Sequence, residues 1–261
     1  MKTFISFVFI LVFSFFAIKP LTAPGFFPIH DDTQVARVYE MGKALSDGMF
    51  PVRWAADLGY GYGYPIFNFY APLAYYFGGT INALGADALL STKIMMIVGI
   101  ILSGVSMYLL ARELWGKIGG LVSSLFYVYA PYHAVDIYVR GDVAEFWAYA
   151  FIPLAFYGIL KAFDEKKWIY VVLGSLGYAG IILSHNLTAM MITPFLILFI
   201  LFLFFKKTKE KQIGASYSLF VLLIGIGLSA FYWLPALVEM KFTNVLSQIG
   251  GGADFRDHFV C

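Results

Sequence analysis

Apolar residues in this chain come in long unbroken runs, not in the alternating or one-faced patterns of a soluble fold. The first is Phe4 to Ile18, and later runs cover about 93–112, 117–132, 146–162, 168–185, 187–205 and 214–236. Several of these approach the ~20 residues needed to cross a bilayer. Their continuity fits helices and not a transmembrane barrel, whose strands alternate. The pattern predicts an all-α fold: a polytopic transmembrane helical bundle of about seven spans, forming one domain over 1–261, with the first span at about 3–19. A cleaved signal peptide is the alternative for the first run, but Leu21-Thr22-Ala23 lacks the small-x-small pattern that signal peptidase prefers.

Between the first two spans lies a long polar segment, an outer loop over 20–92. Within it, Val35, Val38, Tyr39, Met41 and Leu45 recur at helical spacing with Arg37, Glu40 and Lys43 between them. This predicts a helix over 33–47 lying in the membrane surface, and Asp31 or Asp32 stands where its N-cap belongs. The apolar stretch 72–84 is too short to span, since about thirteen residues at 1.5 Å rise cover only two-thirds of the hydrocarbon. It predicts a second interfacial or re-entrant helix. The repeat Gly59-Tyr60-Gly61-Tyr62-Gly63-Tyr64 reads as an interfacial aromatic belt, with an aromatic wall for sugar or isoprenoid as the functional alternative. No strand precedes it, so it is not a nucleotide-binding fingerprint.

Composition agrees: 61% of residues are hydrophobic and 13% charged, against roughly a quarter charged in soluble domains. The lipid bilayer is therefore a partner, and no nucleic-acid partner is expected. The single cysteine, Cys261, excludes an internal disulfide and a cysteine metal cluster. The ending Phe259-Val260-Cys261, with no polar tail, suggests a fragment of a longer chain.

The net charge of +2 matters less than its distribution. If the first span runs from inside to outside, the inner segments are Lys2, Arg112–Lys117, Lys161–Lys167 and Lys206–Lys211. These hold ten Lys or Arg and four Asp or Glu, against eight and twelve outside. That satisfies the positive-inside rule, placing the N-terminus in the cytoplasm and predicting a site that faces outside. All four histidines and twelve of the sixteen acids then collect at the outer face. They fall in His30-Asp31-Asp32, His133-x-x-Asp136, Arg140-Gly141-Asp142-x-x-Glu145, His185-Asn186 and Asp254–His258.

Asp31 and Asp32 suit a general base or oxygen ligands for a divalent cation; helix capping in a solvated loop is the plain alternative. Helical spacing would put His133, Asp136 and Arg140 on one face, and an arginine there could grip phosphate bidentately. The alternative is a hydrated ion-pair loop. His185 is equally consistent with a satisfied interfacial histidine, and Arg53 beside Trp54 with a cation near headgroups.

These features resemble the C-type (GT-C) membrane glycosyltransferase superfamily, which includes protein O-mannosyltransferases, aminoarabinose transferases and oligosaccharyltransferase catalytic subunits. The nearest likeness is to the bacterial and archaeal membrane family labelled "6-pyruvoyl-tetrahydropterin synthase-related", a name implying no pterin chemistry here. The resemblance rests on Asp31-Asp32 after the first span, the surface helix, Phe50-Pro51-x-Arg53-Trp54, Gly63-Tyr64-Pro65-x-Phe67, Tyr70-x-Pro72-Leu73, Ala111-Arg112 and Arg140-Gly141-Asp142-x-x-Glu145. It implies transfer of a sugar from a polyprenyl-phosphate donor to an acceptor of unknown identity, at the outer face of a prokaryotic plasma membrane. Asp31 or Asp32 would deprotonate the acceptor or help bind a metal, Mg or Mn, with Asp142 and Glu145 as the second acidic element. His30, Arg53, His133, Asp136, Arg140, Asp142, Glu145 and His185 are the candidate substrate-binding residues, and the assignment of Arg140 and His185 to the phosphate is read from their charge and membrane side, not from the resemblance. A lipid-sugar transporter or flippase is ranked lower, because transporters place ionisable groups near the midplane and the span centres here hold almost none. A non-catalytic membrane scaffold is the third reading.

Overall fold

The computed structural model describes residues 2–207 and 210–244, all in helices, turns and loops, with a single isolated bridge between Ala55 and Tyr64. The all-α expectation holds. Helix α1 (Lys2–Ile18) leads through a short 3-10 turn into a loop carrying α2 (Gln34–Ser46), α3 (Ile66–Phe69) and α4 (Leu73–Ala83). Then come α5 (Ala88–Val128), α6 (Pro131–Val135), a π-helical turn (Asp136–Arg140), α7 (Val143–Glu165), α8 (Trp168–Ser184), α9 (Asn186–Lys206), α10 (Lys211–Leu228) and α11 (Ala230–Glu239).

At 1.5 Å per residue the 41 residues of α5 would reach ~60 Å, twice the hydrocarbon thickness. They do not. Gly116 takes φ 72°, ψ −174°, a conformation only glycine adopts freely, and folds the helix back as a hairpin. The return is visible in the packing: Ser124 Oγ donates to the Gly104 carbonyl at 2.7 Å, and a Cβ on Gly120 would touch the Tyr108 ring.

Five helical stretches among the described residues are long and apolar enough to cross a membrane. They are Phe4–Thr22, the run Ala88–Arg140 that contains the hairpin, Val143–Glu165, Asn186–Lys206 and Lys211–Leu228; Trp168–Ser184 is apolar but shorter. Their outward surfaces carry Phe4, Val12, Phe16, Val122, Phe126, Met190, Phe195, Leu198 and Phe205. Exposed apolar area on this scale is foreign to a soluble monomer and suits lipid contact.

The run expected over 214–236 is not one helix. It breaks at Ser229, where α10 ends and α11 begins, and the Trp233 indole donates to the Ile226 carbonyl that the break frees. Small residues let the helices close on each other, as membrane packing favours. The backbones of Gly158 (α7) and Gly174 (α8) meet where either Cβ would collide, and Gly177 does the same against Ala155.

The core falls into two clusters. One joins α7, α8, α9 and α10 through residues such as Ile159, Val171, Leu196 and Val221. The other lies under α2 and α4 and joins them to α5 and α7 through Val38, Met41, Tyr75, Met95 and Phe146. Helices α2 and α4 are therefore built into the fold and do not merely rest on its surface. They cross so closely that a Cβ on Gly42 would strike Asn82 and one on Gly79 would strike Met41.

One end of the bundle holds the Gly116 bend and the turns at 165–168 and 206–211, tied by Lys161–Glu113 (3.1 Å), Lys207–Asp164 (3.0 Å), Lys166–Glu210 (2.5 Å) and Lys161–Glu165. The α2–α4 layer, residues 129–142 and the α8–α9 turn occupy the other.

Candidate functional site

The site grows from two loop segments that pair by backbone. His30 N–H donates to the Val139 carbonyl at 2.9 Å and Asp31 N–H to the Arg140 carbonyl at 2.8 Å. Gly141 makes this possible. It sits at φ 74°, ψ 20°, and the space a Cβ would need holds Ile29 Cδ1 at 2.5 Å and the Asp31 carbonyl oxygen at 3.1 Å. The first loop and the connector between α5 and α7 thus become one unit.

On that unit Asp31 is anchored from three sides. Its Oδ1 accepts from the Thr33 hydroxyl at 2.9 Å; its Oδ2 accepts from Gln34 Nε2 at 2.9 Å and from the Arg37 guanidinium at 3.0 Å. Gln34 also donates to the Gly141 carbonyl at 2.6 Å and accepts from the buried Tyr75 hydroxyl at 2.6 Å. Arg37 lies over the Tyr70 ring, 4.7 Å from its centroid. The expected N-cap role is not what Asp31 or Asp32 does: Thr33 stands at that position, without a side-chain cap bond, and the Asp31 carboxylate takes side-chain donors instead. Asp32 and His30 are exposed, and the Asp32 side chain has no hydrogen bond or ion pair among the described residues.

Arg37 and Tyr70 line a cleft of about 510 Å³ together with Tyr64, Pro65, Ile66, Phe69 and residues 242–244. Burial and the nearby Asp142 carboxylate push the Tyr70 hydroxyl above its ordinary value, while Arg37 pulls it down.

The second cluster is centred on Arg140. Its guanidinium meets Asp136 Oδ1 at 2.6 Å, Glu145 Oε2 at 2.6 Å and Asp142 Oδ2 at 3.4 Å, and donates to the Tyr132 hydroxyl at 2.8 Å. Asp142 is also the N-cap of α7, accepting from Glu145 N–H at 3.0 Å. Glu145 Oε1 accepts from the Tyr149 and Tyr132 hydroxyls. Asp136 is fully buried, and its Oδ2 has no partner among the described residues. Asp136 lies in the π-turn between spans. Burial first, then the charges of Glu145 and Asp142, push its carboxyl up to about 7 against the pull of Arg140.

Three of the expected site residues stand elsewhere. His133 is not on the ionic face: it is buried in an aromatic box, stacked on Tyr149 with Tyr127 and Phe146 edge-on. His185 caps α9, its Nδ1 meeting the Thr188 hydroxyl at 2.8 Å and backbone N–H at 3.4 Å. Arg53 faces Glu239 of α11 at 3.9 Å, and that carboxylate accepts from Asn68 at 2.8 Å. Asp254–His258 and Cys261 lie outside the described residues.

The carboxylates suggested as metal ligands do not make a ligand set here. Asp31 is engaged by Arg37, whereas Asp142 and Glu145 are engaged by Arg140. Among the described residues no three His, Cys, Asp or Glu side chains are gathered for a metal ion.

Gln34, Arg37, Tyr70 and Tyr75 were not among the candidate site residues read from the sequence. The first two had a readable signal, because Gln34 and Arg37 are three residues apart on one face of α2 and Asp31 stands three residues ahead of Gln34, just before the helix. Tyr70 entered only as part of the Tyr70-x-Pro72-Leu73 motif and not as a site residue, and nothing in the sequence marks Tyr75.

The fold and site define a polytopic helical membrane protein with a polar, aromatic-walled cleft at one end of the bundle. Residues 67–248 match a family described as 6-pyruvoyl-tetrahydropterin synthase related domain, membrane protein, and the chain belongs to that family. An uncharacterized protein of Lactococcus lactis subsp. cremoris (strain MG1363) is 30% identical over 213 residues, which is 79% of this chain and 35% of that protein. The chain thus spans about a third of that relative's length.

Proposed function

We propose that this domain transfers a sugar from a polyprenyl-phosphate donor to an acceptor, as in GT-C glycosyltransferases, with Asp31 as base and Arg37 at the donor phosphate. The observation that carries the reading is the pairing of Asp31 and Arg37 beside an aromatic-walled cleft. A carboxylate has about four lone-pair sites. Three donors reach Asp31, two on Oδ2 and one on Oδ1, so Oδ1 keeps one site for an acceptor hydroxyl. That proton passes to Asp31 as the acceptor oxygen attacks the anomeric carbon. The bond from that carbon to the phosphate oxygen breaks, and the leaving phosphate keeps the electron pair. A guanidinium nearby stabilises the charge it gains.

Arg140 suits that role less well. Three carboxylates surround one guanidinium, leaving a net negative cluster that repels phosphate. We assign Arg140 to holding the connector in shape. No step passes through a metal ion. The charge distribution supports seven spans with the N-terminus in the cytoplasm and the cleft outside.

The test is binding of polyprenyl phosphate in nanodiscs with uncharged polyprenol as control. Wild type should prefer the phosphate by about tenfold or more, ~1.4 kcal/mol. Arg37→Gln should lose that preference, and folded Arg140→Gln should keep it. A wild type indifferent to the phosphate removes the donor from this reading.

A further inference from the structure

A separate cavity of about 230 Å³ lies between α1, α5, α7 and residues 129–138. It shares no lining residue with the Arg37 cleft. Two hydroxyl clips hold its walls together: Tyr129 donates to the Phe13 carbonyl and Tyr138 to the Ala17 carbonyl, tying the connector to α1. Tyr138 is followed by Val139 and Arg140, whose carbonyls take the His30 and Asp31 amides. The same connector thus walls the cavity and carries the joint of the candidate site.

The fold leaves one lining side chain without a polar role. His133 is only 5% exposed, stacked on Tyr149 with Tyr127 and Phe146 edge-on, yet neither ring nitrogen has a hydrogen-bond partner among the described residues. Buried polar groups are normally paired, and leaving one unpaired is costly. Burial, with no charged group acting on it, keeps the imidazole neutral, so it offers one N–H donor and one nitrogen acceptor. Water is a poor occupant. A buried water needs about two to four polar partners, and no Asp, Glu, Lys, Arg, Ser, Thr, Asn or Gln lines this space. An apolar cavity of ~150 Å³ stays dry and takes benzene instead. Here Phe16, Tyr129, Tyr138 and Phe146 border the space, which favours a flat ring through stacked or edge contacts. Phe16 is largely exposed on α1, so the cavity can be reached from the surface of the bundle.

We infer that this cavity is a binding site for an uncharged, ring-bearing molecule whose single hydroxyl pairs with His133 while its ring lies among the four aromatic side chains. A charged ligand is disfavoured, because no opposite charge lines the cavity to offset its desolvation. A plain hydrocarbon fills the space but leaves the imidazole unpaired. The site stands independently of the sugar-transfer reading.

The probes are para-cresol and para-xylene, which differ by a hydroxyl in place of a methyl. Radiolabelled probe retained by the intact chain in nanodiscs is measured against empty nanodiscs, which corrects for partition into lipid. Nitrogen NMR of labelled histidine reports the place of binding; of the four histidines, His133 gives the resonance that His133→Phe removes. Wild type should bind para-cresol saturably, with a shift of the His133 ring nitrogens, and at least about tenfold more tightly than para-xylene. Ala17→Phe, folded by size exclusion and thermal unfolding, places a ring in the cavity and should abolish saturable binding of both probes. His133→Phe should remove the preference for para-cresol. A wild type that binds neither probe above empty nanodiscs, or binds both equally, overturns the site. So does para-cresol binding that leaves the His133 resonance in place or survives in folded Ala17→Phe. The wild-type comparison of the two probes decides the matter even where neither variant folds.

Discussion

Replacing Gly141 by alanine tests the joint on which the candidate site is built. Gly141 occupies the left-handed region, where an L-residue with a Cβ costs roughly 1–2 kcal/mol. The new Cβ would also lie 2.5 Å from Ile29 Cδ1 and 3.1 Å from the Asp31 carbonyl oxygen. Ile29 can rotate, but the Asp31 backbone can yield only by loosening its pairing to Val139 and Arg140. Those two backbone hydrogen bonds contribute ~0.5–1.5 kcal/mol each. The expected local penalty is therefore about 2–5 kcal/mol, or at least ~30-fold more frequent opening of this joint. Amide hydrogen exchange reads it directly: protection of the His30 and Asp31 amides should fall by that factor, while the α7–α8 amides around Gly158 and Gly174 keep theirs. The steric and conformational parts separate in a double mutant. Ile29→Ala with Gly141→Ala should recover the part due to collision and leave the part due to the left-handed backbone. Unchanged exchange at residues 30 and 31 in Gly141→Ala would refute the idea that this glycine holds the two loops together.

Two further outcomes follow from the same geometry. Asp136 has a folded pKa raised from 3.8 to about 7, so its contribution to stability is fully present below about pH 4 and is lost as pH rises through 7. Thermal unfolding in detergent should show the decline, and Asp136→Asn, which keeps an oxygen for Arg140, should flatten it; matching pH profiles in the two proteins would remove Asp136 as the cause. For orientation, Asp32→Cys and Tyr62→Cys in a Cys261→Ser background should both react with an impermeant thiol reagent from outside intact cells. Reaction only after access to the cytoplasmic side would invert the topology.

What could be read from the sequence was the part governed by long-range averages. Continuous apolar runs disclose helices because every backbone group in lipid must be satisfied within its own segment. That reasoning is indifferent to any single residue. Helical spacing of apolar residues pointed to α2 and a short apolar run to α4, whose bounds at Gln34–Ser46 and Leu73–Ala83 lie within a residue or two of the expected 33–47 and 72–84. Averaging over runs missed the break at Ser229 because an apolar run has the same composition on both sides of a bend. The Trp233–Ile226 hydrogen bond that stabilises the bend is invisible until the chain is folded.

The polar residues were harder, for a physical reason. Charge spacing along a helix predicts neighbours three and four residues apart, and it did bring Asp136 to Arg140. It assumed an α-helix, however, and the chain is π-helical from Asp136 to Arg140. That local change of pitch accompanies a capped α7 in which Glu145 and Asp142 both close on Arg140, while His133 goes into the aromatic box. An arginine that looked available in the sequence is thereby held by three carboxylates. Arg37, seemingly an ordinary charge on the polar face of a surface helix, has one carboxylate partner and an open cleft beside it. Two arginines of equal formal charge thus differ in the field they project: what decides which can meet a phosphate is how many carboxylates each already holds.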